Sequence, residues 1–525
     1  MKIVLAEKVS PATVAVFAAE AGWEVLTHDQ VKDLAAAVKD ADALVVRSAV
    51  QVDDALMAAA EKLRVIGRAG VGVDNIDADA ATRRGVVVMN TPGANAVAVA
   101  ELTLGLMVSL ARQIPRANET MHAGKWEKKS LAGVELKGKK LGILGLGRIG
   151  LEVARRARSF GMELVGHDPF VSASIARENA IRLTSAEELF AEADYLTLHV
   201  GLTPQTQGII NATTLATMKK GVRIVNCARG ELVVEKDLAE ALKSGQVAGA
   251  ALDVFEKEPP KDSPFFALPN VILTPHIAGS TSEAQEAVGV QIALQVREYL
   301  KSGVVQNAVN LPSLTHEEFQ ELAPYMTLAE RMGTFLAQFP RGTIESIGLK
   351  YRGRVAELKT DLVRNAAIAG VLGHLEQVNR INAASIAAER GIRVHEEKRE
   401  AAAGGAGSVL QLTLHTSGGE IAASGAVLHG EQPRLLRLDG IDIEAPLQGT
   451  LLAIRNRDVP GVIGRIGTIL GEHKINIANF ALGRANGGGE ATALAVLQID
   501  GEAPDAVIQK LRAEPAITGV RQVSL

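Results

Sequence analysis

The glycine run Gly145-Leu146-Gly147-Arg148-Ile149-Gly150 follows the apolar stretch 141–144 and opens the segment VARRARSF, which reads as a helix. In a strand–turn–helix setting, glycines at these spacings permit a tight turn, close approach of backbone to a pyrophosphate, and helix-on-strand packing. The N–H groups of Arg148 and Ile149 would then face phosphate at a helix N-terminus. Asp168 ends the next apolar run, 18 residues beyond Gly150. A carboxylate there can accept from both ribose hydroxyls and would repel a 2′-phosphate, so the set predicts a dinucleotide site favouring NAD over NADP. The plainer alternative is a Gly-rich turn beside a solvated Asp.

Three more polar residues close later apolar runs. Arg229 follows Val225-Asn226-Cys227-Ala228, Glu258 follows Leu252-Asp253-Val254-Phe255, and His276 follows Leu273-Thr274-Pro275. Open parallel sheets take ligands at the carboxyl ends of their strands. Oxidising a 2-hydroxy acid needs a base for the hydroxyl proton, a cation to hold the carboxylate and polarise the carbonyl, and a carboxylate to orient the base. Arg, Glu and His supply those roles; by spacing alone, each also reads as an ordinary strand-end residue. Cys227 is the only cysteine, which excludes an intrachain disulfide framework or Cys-rich zinc site and suits a reducing cytosol. Hydride transfer needs no nucleophile, so Cys227 reads as a small buried residue. His199 and His122 read as packing or surface residues, and nothing has metal-ligand spacing.

Placing these groups requires parallel sheets. Short apolar runs at 2–5, 43–46, 64–68 and 86–89 alternate with helical stretches, as in βαβ units. A second set of six strand candidates runs from Lys140 to His276: LGILGLG, MELVGHD, DYLTLHV, VRIVNCA, VAGAALDV and NVILTPH. Helices at 94–111 and 283–300 flank that set, so the chain leaves one domain, builds another and returns. The helix at 94–111 is barely a bilayer span and is interrupted by Asn95 and Glu101. It reads as a buried interdomain helix.

Beyond residue 312 the character changes. The first half of 313–448 looks helical (317–339 and 361–388), a small-residue stretch occupies 401–408, and strands alternate at 408–416, 420–428 and 435–443. The final segment reads strand 449–455, helix 461–472, strands 475–484 and 490–498, helix 503–513, strand 517–524. That βαββαβ order is ferredoxin-like. At 525 residues, three or four domains are expected. A net charge of −4 gives no electrostatic case for nucleic acid. The N-terminal MKIVLAEKVS has no apolar core of the signal-peptide kind, so the chain reads as a soluble protein without a membrane segment.

Residues 1–310 resemble the D-isomer-specific 2-hydroxyacid dehydrogenases through LGILGLGRIG with Asp168, VNCARGELV, ALDVFEKEPP and LTPHIAGST. The resemblance implies an NAD-dependent enzyme whose catalytic residues are Arg229, Glu258 and His276. It extends the NAD contacts to Gly145, Gly147, Arg148, Ile149, Gly150, Asp168, Val200, Cys227, Ala228, Arg229, Asp253, His276 and Gly279. VVRSAV (45–50) and VIGRAGVGVDNID (65–77) are similar to members that oxidise 3-phosphoglycerate in L-serine biosynthesis, which implies that Arg47 and Arg68 hold phosphate through their guanidinium forks. The implied substrate set is Arg47, Ser48, Arg68, Gly70, Val71, Gly72 and Asn95.

The tail resembles the intervening domain of long members and then an ACT regulatory domain. Asp458 and Asn476 match positions that hold L-serine between paired ACT domains. The resulting expectation is an α/β protein with two Rossmann-like doubly wound domains, an α+β intervening domain and a ferredoxin-like ACT domain. Its divisions fall at 1–95 (substrate domain), 96–285 (inserted NAD domain), 286–310 (return helix), 311–448 and 449–525. A cytoplasmic homo-oligomer, dimer or tetramer, is implied by analogy, with Lys125-Trp126-Glu127-Lys128-Lys129 either reaching a neighbouring subunit or forming a solvated loop. Competing readings are a dehydrogenase for glycerate, glyoxylate or lactate, an NAD sensor that controls protein partners, and a tail that serves only assembly.

Overall fold

The computed structural model describes all residues except 313, 340–341, 374, 376–377, 400–406 and 486–490. Most of the small-residue stretch at 401–408 therefore lies outside the described residues. Among the described residues, four sheets organise the chain.

The first sheet has five parallel strands in the order Glu24–Leu26, Lys2–Leu5, Ala43–Val46, Val65–Arg68, Val87–Met89. Ala43–Val46 is buried along its whole length, as expected of a parallel strand covered on both faces, and this is why its sequence is a continuous apolar run. The edge strand Glu24–Leu26 was not expected. It is only three residues long and has no buried residue, so it leaves no such run.

Helix Ala96–Arg112 carries the chain out of this domain, and helix Ser282–Ser302 carries it back. The returning helix begins just ahead of the expected division at 286. Its Ile292 and Val296 side chains pack directly on Gly67, leaving no room for a Cβ there. Ala96–Arg112 buries Val99, Ala100, Leu104 and Met107 among them in the core of the second domain. Among the described residues, no single helix is long and apolar enough to cross a membrane.

The second sheet is also parallel, with seven strands in the order Val271–Leu273, Val247–Leu252, Val222–Asn226, Tyr195–Leu198, Lys140–Leu144, Glu163–His167, Arg182–Leu183. All six expected strands are present, and a two-residue edge strand is added. The strand order reverses between Lys140–Leu144 and Tyr195–Leu198, which lie side by side. That switch point is where a doubly wound sheet opens a crevice for ligand, and the Gly145 turn emerges from it.

The intervening region differs most from expectation. Its sheet runs Arg393–Arg399, Ile344–Arg352, Val409–Thr416, Gly419–Leu428, Gln432–Leu438, Ile441–Pro446; the first pair is parallel and the rest antiparallel. The two strands Ile344–Arg352 and Arg393–Arg399 were not expected. The helix expected at 361–388 is two helices, Thr360–Leu372 and Ala383–Glu389. The strand expected at 435–443 is the middle of a hairpin: Asp439 (φ +52°) and Gly440 (φ +83°) form its two-residue turn. An Asp-Gly pair between apolar runs is a standard signal for that turn.

The fourth sheet orders its antiparallel strands Ile477–Arg484, Thr492–Ile499, Thr450–Arg457, Ile517–Ser524, with helices Val462–Glu472 and Asp505–Arg512 on one face. This is the expected ferredoxin-like arrangement. Its other face, through Leu451, Ala453, Leu494 and Val496, shares one continuous core with the intervening region.

Candidate active site

Strand Val222–Asn226 ends in a buried asparagine that shapes the turn after it. Asn226 Oδ1 accepts from the Ala228 N–H at 3.0 Å, and Nδ2 donates to the Arg229 carbonyl at 2.8 Å. The turn presses so closely on the next loop that a Cβ on Gly230 would lie 1.9 Å from the Phe255 carbonyl carbon. Arg229 is thereby aimed at the first domain. One Nη donates to the Ala228 carbonyl at 2.7 Å, and the other sits 3.1 Å from Asp74 Oδ2 across the cleft.

Asp253, fully buried, builds the loop that carries His276. Its Oδ1 accepts from Thr274 Oγ1 at 2.6 Å and the Ile277 N–H at 2.9 Å, its Oδ2 accepts from the Ala278 N–H at 2.9 Å, and its carbonyl accepts from the His276 N–H at 2.8 Å. These bonds hold His276 at φ +53°, a left-handed conformation costing on the order of 1 kcal/mol for a non-glycine residue. Asp253 was expected beside the cofactor. In the structure its carboxylate braces this loop.

His276 Nδ1 lies 2.7 Å from Glu258 Oε2, and Glu258 Oε1 accepts from the Phe255 N–H at 3.1 Å. With Nδ1–H donated to Glu258, Nε2 is the nitrogen available to exchange a proton with a ligand. The hydrogen bond to Glu258 raises the His276 pKa above the ordinary imidazole value; burial and Arg229 oppose the rise, and the charges of Glu258 and Asp253 reinforce it. Burial would push the Glu258 carboxyl up, but the bonds from His276 and the Phe255 N–H, with the charges of His276 and Arg229, leave it below its usual range. The pair is a base kept oriented by a carboxylate that stays ionised.

The first domain contributes cations. Glu7, just past strand Lys2–Leu5, accepts from the Arg47 and Val50 N–H groups at 2.8 and 3.1 Å. Asn75 Nδ2 donates to the Arg47 and Val50 carbonyls at 3.0 and 2.6 Å. Together they brace the loop that carries Arg47 and Ser48. Arg68 folds over Gly70, donates to the Ala69 carbonyl at 3.1 Å, and leaves a buried Nε without a partner. Burial and then the neighbouring Arg229 charge push its pKa down, yet a guanidinium remains ionised. Arg47, Ser48, Arg68, Gly70, Val71, Gly72, Asn95, Arg229, Glu258, His276 and Gly279 all line one cleft of about 710 Å³ between the two domains. Asn95 Oδ1 is also buried there without a partner.

Glu7, Asn75 and Asn226 were not anticipated. Their work is done by buried hydrogen bonds to backbone, and the only sequence signal was their position beside strand ends.

The cofactor positions occupy the adjoining switch point. Gly145 has φ +95°, and a Cβ there would lie 2.6 Å from the His199 carbonyl oxygen and 2.9 Å from Val200. A Cβ on Gly150 would lie 2.1 Å from the Gly145 oxygen, whereas a Cβ on Gly147 would meet nothing within 4 Å. Two glycines thus close the turn, and the third keeps the N-terminus of helix Arg148–Ser159 open. Asp168 Oδ2 accepts from the Leu146 N–H at 2.8 Å and Oδ1 from the Phe170 N–H at 2.8 Å, which fixes the carboxylate beside that turn. An open helix N-terminus with a carboxylate at the next strand end fits the pyrophosphate and ribose of NAD.

Arg148 itself bonds to the Pro92 carbonyl, at the crossing between the domains. Ile149 follows it in the first turn of the helix. Cys227 and Ala228 lie in the turn before Arg229. Burial pushes the Cys227 thiol up to about 12, so it is an inert packing group. His199 is half-buried, and desolvation pushes its pKa down to about 3, which matches a neutral packing role; its Nε2 is 2.9 Å from Thr197 Oγ1.

The two effector positions do not meet. Asp458 pairs with Arg484 at 3.1 Å, and its N–H donates to the Ala491 carbonyl. Asn476 donates to Asp500 at 2.8 Å. In the register of the fourth sheet, Arg457 is opposite Thr492 while Ile477 is opposite Ile499. The two sites therefore lie at opposite ends of the sheet, about 23 Å apart at ~3.3 Å per residue.

Three stretches of the chain match known domain families. Residues 104–278 match the model of the D-isomer specific 2-hydroxyacid dehydrogenase NAD binding domain, 321–439 the D-3-phosphoglycerate dehydrogenase intervening domain, and 450–516 the ACT domain. The chain is 43% identical to a D-3-phosphoglycerate dehydrogenase of Methanocaldococcus jannaschii over 505 residues, covering 96% of this chain and 95% of that one. It is 40% identical to the Bacillus subtilis protein of the same name over 487 residues, 92% of each. The crystal structure of an NAD-dependent formate dehydrogenase from Staphylococcus aureus in complex with NAD matches with a TM-score of 0.53 and 28% identity, covering 60% of this chain and all of that one. With NAD as its cofactor, and with intervening and ACT domains behind the catalytic pair, the chain belongs to the D-3-phosphoglycerate dehydrogenases among the D-isomer-specific 2-hydroxyacid dehydrogenases.

Proposed function

We propose that the cleft oxidises the 2-hydroxyl of 3-phospho-D-glycerate to the ketone of 3-phosphohydroxypyruvate, the entry to L-serine synthesis. The observation that carries this reading is the convergence of Arg47, Arg68 and Arg229 with the Glu258–His276 pair in one cleft. Arg47 and Arg68, on the first domain, hold the phosphate. Arg229, helped by backbone N–H groups of Gly70 to Gly72, holds the carboxylate and polarises the nascent carbonyl. His276 Nε2 takes the hydroxyl proton, and Glu258 stabilises the imidazolium that results. NAD, when bound, supplies the hydride acceptor. Gly145, Gly147 and Gly150 admit its pyrophosphate, Asp168 its ribose, and Val200, Cys227, Ala228 and Gly279 border its nicotinamide end. Closure of the first domain on the second would expel water from between them.

The tail is read as a sensor for an amino acid, L-serine, held by Asp458 of one copy and Asn476 of another, since the two are too far apart within one chain. Val97, Ile114, Met121, Trp126 and Phe160 are large apolar residues exposed on or beside helices Ala96–Arg112, Ile114–His122 and Arg148–Ser159. This supports a homo-oligomer, and a lone buried thiol suits the cytoplasm.

NADH formation from 3-phosphoglycerate, D-glycerate and D-lactate, each with and without millimolar L-serine, tests the reading. The expected result is a strong preference for the phosphorylated acid, together with inhibition by serine. Arg68→Ala should raise KM for 3-phosphoglycerate by about 10- to 100-fold, the value of a charge-assisted hydrogen bond, while leaving glycerate little changed. Turnover of the unphosphorylated acids alone would remove the phosphate role from Arg47 and Arg68.

A further inference from the structure

We propose that Asp74 is an internal competitor for the substrate carboxylate: a carboxylate on the first domain that engages Arg229 of the second until the substrate carboxylate displaces it. The proposal rests on the reading that Arg229 binds that carboxylate.

Asp74 Oδ2 lies 3.1 Å from Arg229 Nη2, so a carboxylate of the protein already stands where a ligand carboxylate would be recognised. The approach is built into the backbone. A Cβ on Gly72 would fall 2.0 Å from Arg229 Nη2 and 2.7 Å from Asp74 Oδ2, so only a residue without a side chain lets the guanidinium reach this loop. The loop is fastened on both sides, by the Asn90 Nδ2 bond to the Val71 carbonyl at 2.5 Å and by buried Asn75. Asp74 is thus presented from a fixed segment.

The exposures are unequal. The Arg229 side chain retains 27% of its accessible surface and that of Asp74 retains 70%. An ion pair with one partner mostly in water is weak, and Asp74 can return to solvent at little cost. Arg229 is mostly covered and would be left without a carboxylate. A ligand must therefore offer more than Asp74 does. A bare hydroxy acid competes carboxylate for carboxylate, whereas a substrate also anchored at Arg47 and Arg68 displaces Asp74 with binding to spare. Asp74 thereby weakens every carboxylate ligand by one common factor, and a ligand without a phosphate has less binding left to fill the site.

The test compares wild type, Asp74→Asn and Asp74→Glu by oxalate binding to the NADH complex, read by fluorescence, and by steady-state kinetics. In Asp74→Asn, oxalate should bind about two- to fivefold tighter, in keeping with release of an exposed pair. KM for 3-phosphoglycerate and for glycerate should fall by a similar factor, with kcat within twofold. Asp74→Glu, which keeps the charge, should stay close to wild type. Unchanged or weaker oxalate binding in Asp74→Asn, with NADH affinity intact, would overturn the proposal, because a residue that only props Arg229 would loosen the site when removed. Oxalate binding needs no turnover, so this outcome is independent of which hydroxy acid the enzyme prefers.

Discussion

The interdomain cleft and the two effector candidates of the ACT domain differ in where their polar groups stand on the strands that carry them. In the first two domains every strand runs parallel, so Arg68, Arg229 and the His276 loop all emerge from carboxyl ends of strands and meet in one cleft. In the ACT domain Asp458 follows the carboxyl end of strand Thr450–Arg457, whereas Asn476 precedes the amino end of strand Ile477–Arg484, and these two strands run in the same direction. Asp458 and Asn476 accordingly stand at opposite ends of the sheet, each paired to a different neighbour. Groups that all follow strands meet within one chain; one that follows a strand and one that precedes a strand do not, and under the reading proposed above a second copy brings them together.

The largest effect that would break the comparison lies in the cleft. His276→Ala should lower kcat by about 10²- to 10⁴-fold, the usual contribution of a positioned base, with NAD affinity unchanged by fluorescence titration. A loss below tenfold would mean the proton leaves by another route. Glu258→Gln is expected to cost less and to move the pH profile. Oxidation requires neutral His276, whose pKa is raised chiefly by Glu258, so kcat/KM climbs with pH through that raised value. Removing the carboxylate leaves burial and Arg229, opposed by the Asp253 charge alone, to act on the imidazole, and the climbing limb should shift to lower pH beneath a reduced plateau. A limb that stayed in place would detach Glu258 from the titration.

The smallest effect sharpens the other half of the contrast. Asp458→Ala and Asn476→Ala should each abolish the serine response while leaving kcat without serine within about twofold, since surface changes away from the site are mild. Mixing the two variants should restore part of the response, because subunits pairing an intact Asp458 with an intact Asn476 would form. No recovery on mixing, with exchange verified by native mass spectrometry, would place both residues in one chain's site.

Legibility followed the same divide. The parallel strands were readable because burial on both faces writes them as unbroken apolar runs: the expected run at 43–46 coincides with an observed strand, and the expected VRIVNCA (222–228) contains strand Val222–Asn226. Edge strands Glu24–Leu26 and Arg182–Leu183 carry no such pattern and were missed. In the intervening region, Ile344–Arg352 alternates polar and apolar residues between two helices, and the Asp439-Gly440 turn divides what reads as a single strand. There the sheet depends on pairings made across the domain.

The sequence alone determined the residue types that chemistry needs and their order along the chain: a glycine turn with Asp168, then Arg229, Glu258 and His276, each behind an apolar run. Short-range rules suffice for that, since turns and strand ends are set by near neighbours. Only the tertiary structure decided which groups touch. It assigned Asp253 to the His276 loop, Glu7 and Asn75 to the Arg47 loop, and Asp74 to Arg229 across the cleft, and it separated Asp458 from Asn476. Buried hydrogen bonds and ion pairs between distant segments depend on how sheets stack and in which direction their strands run, and neither is written in local spacing.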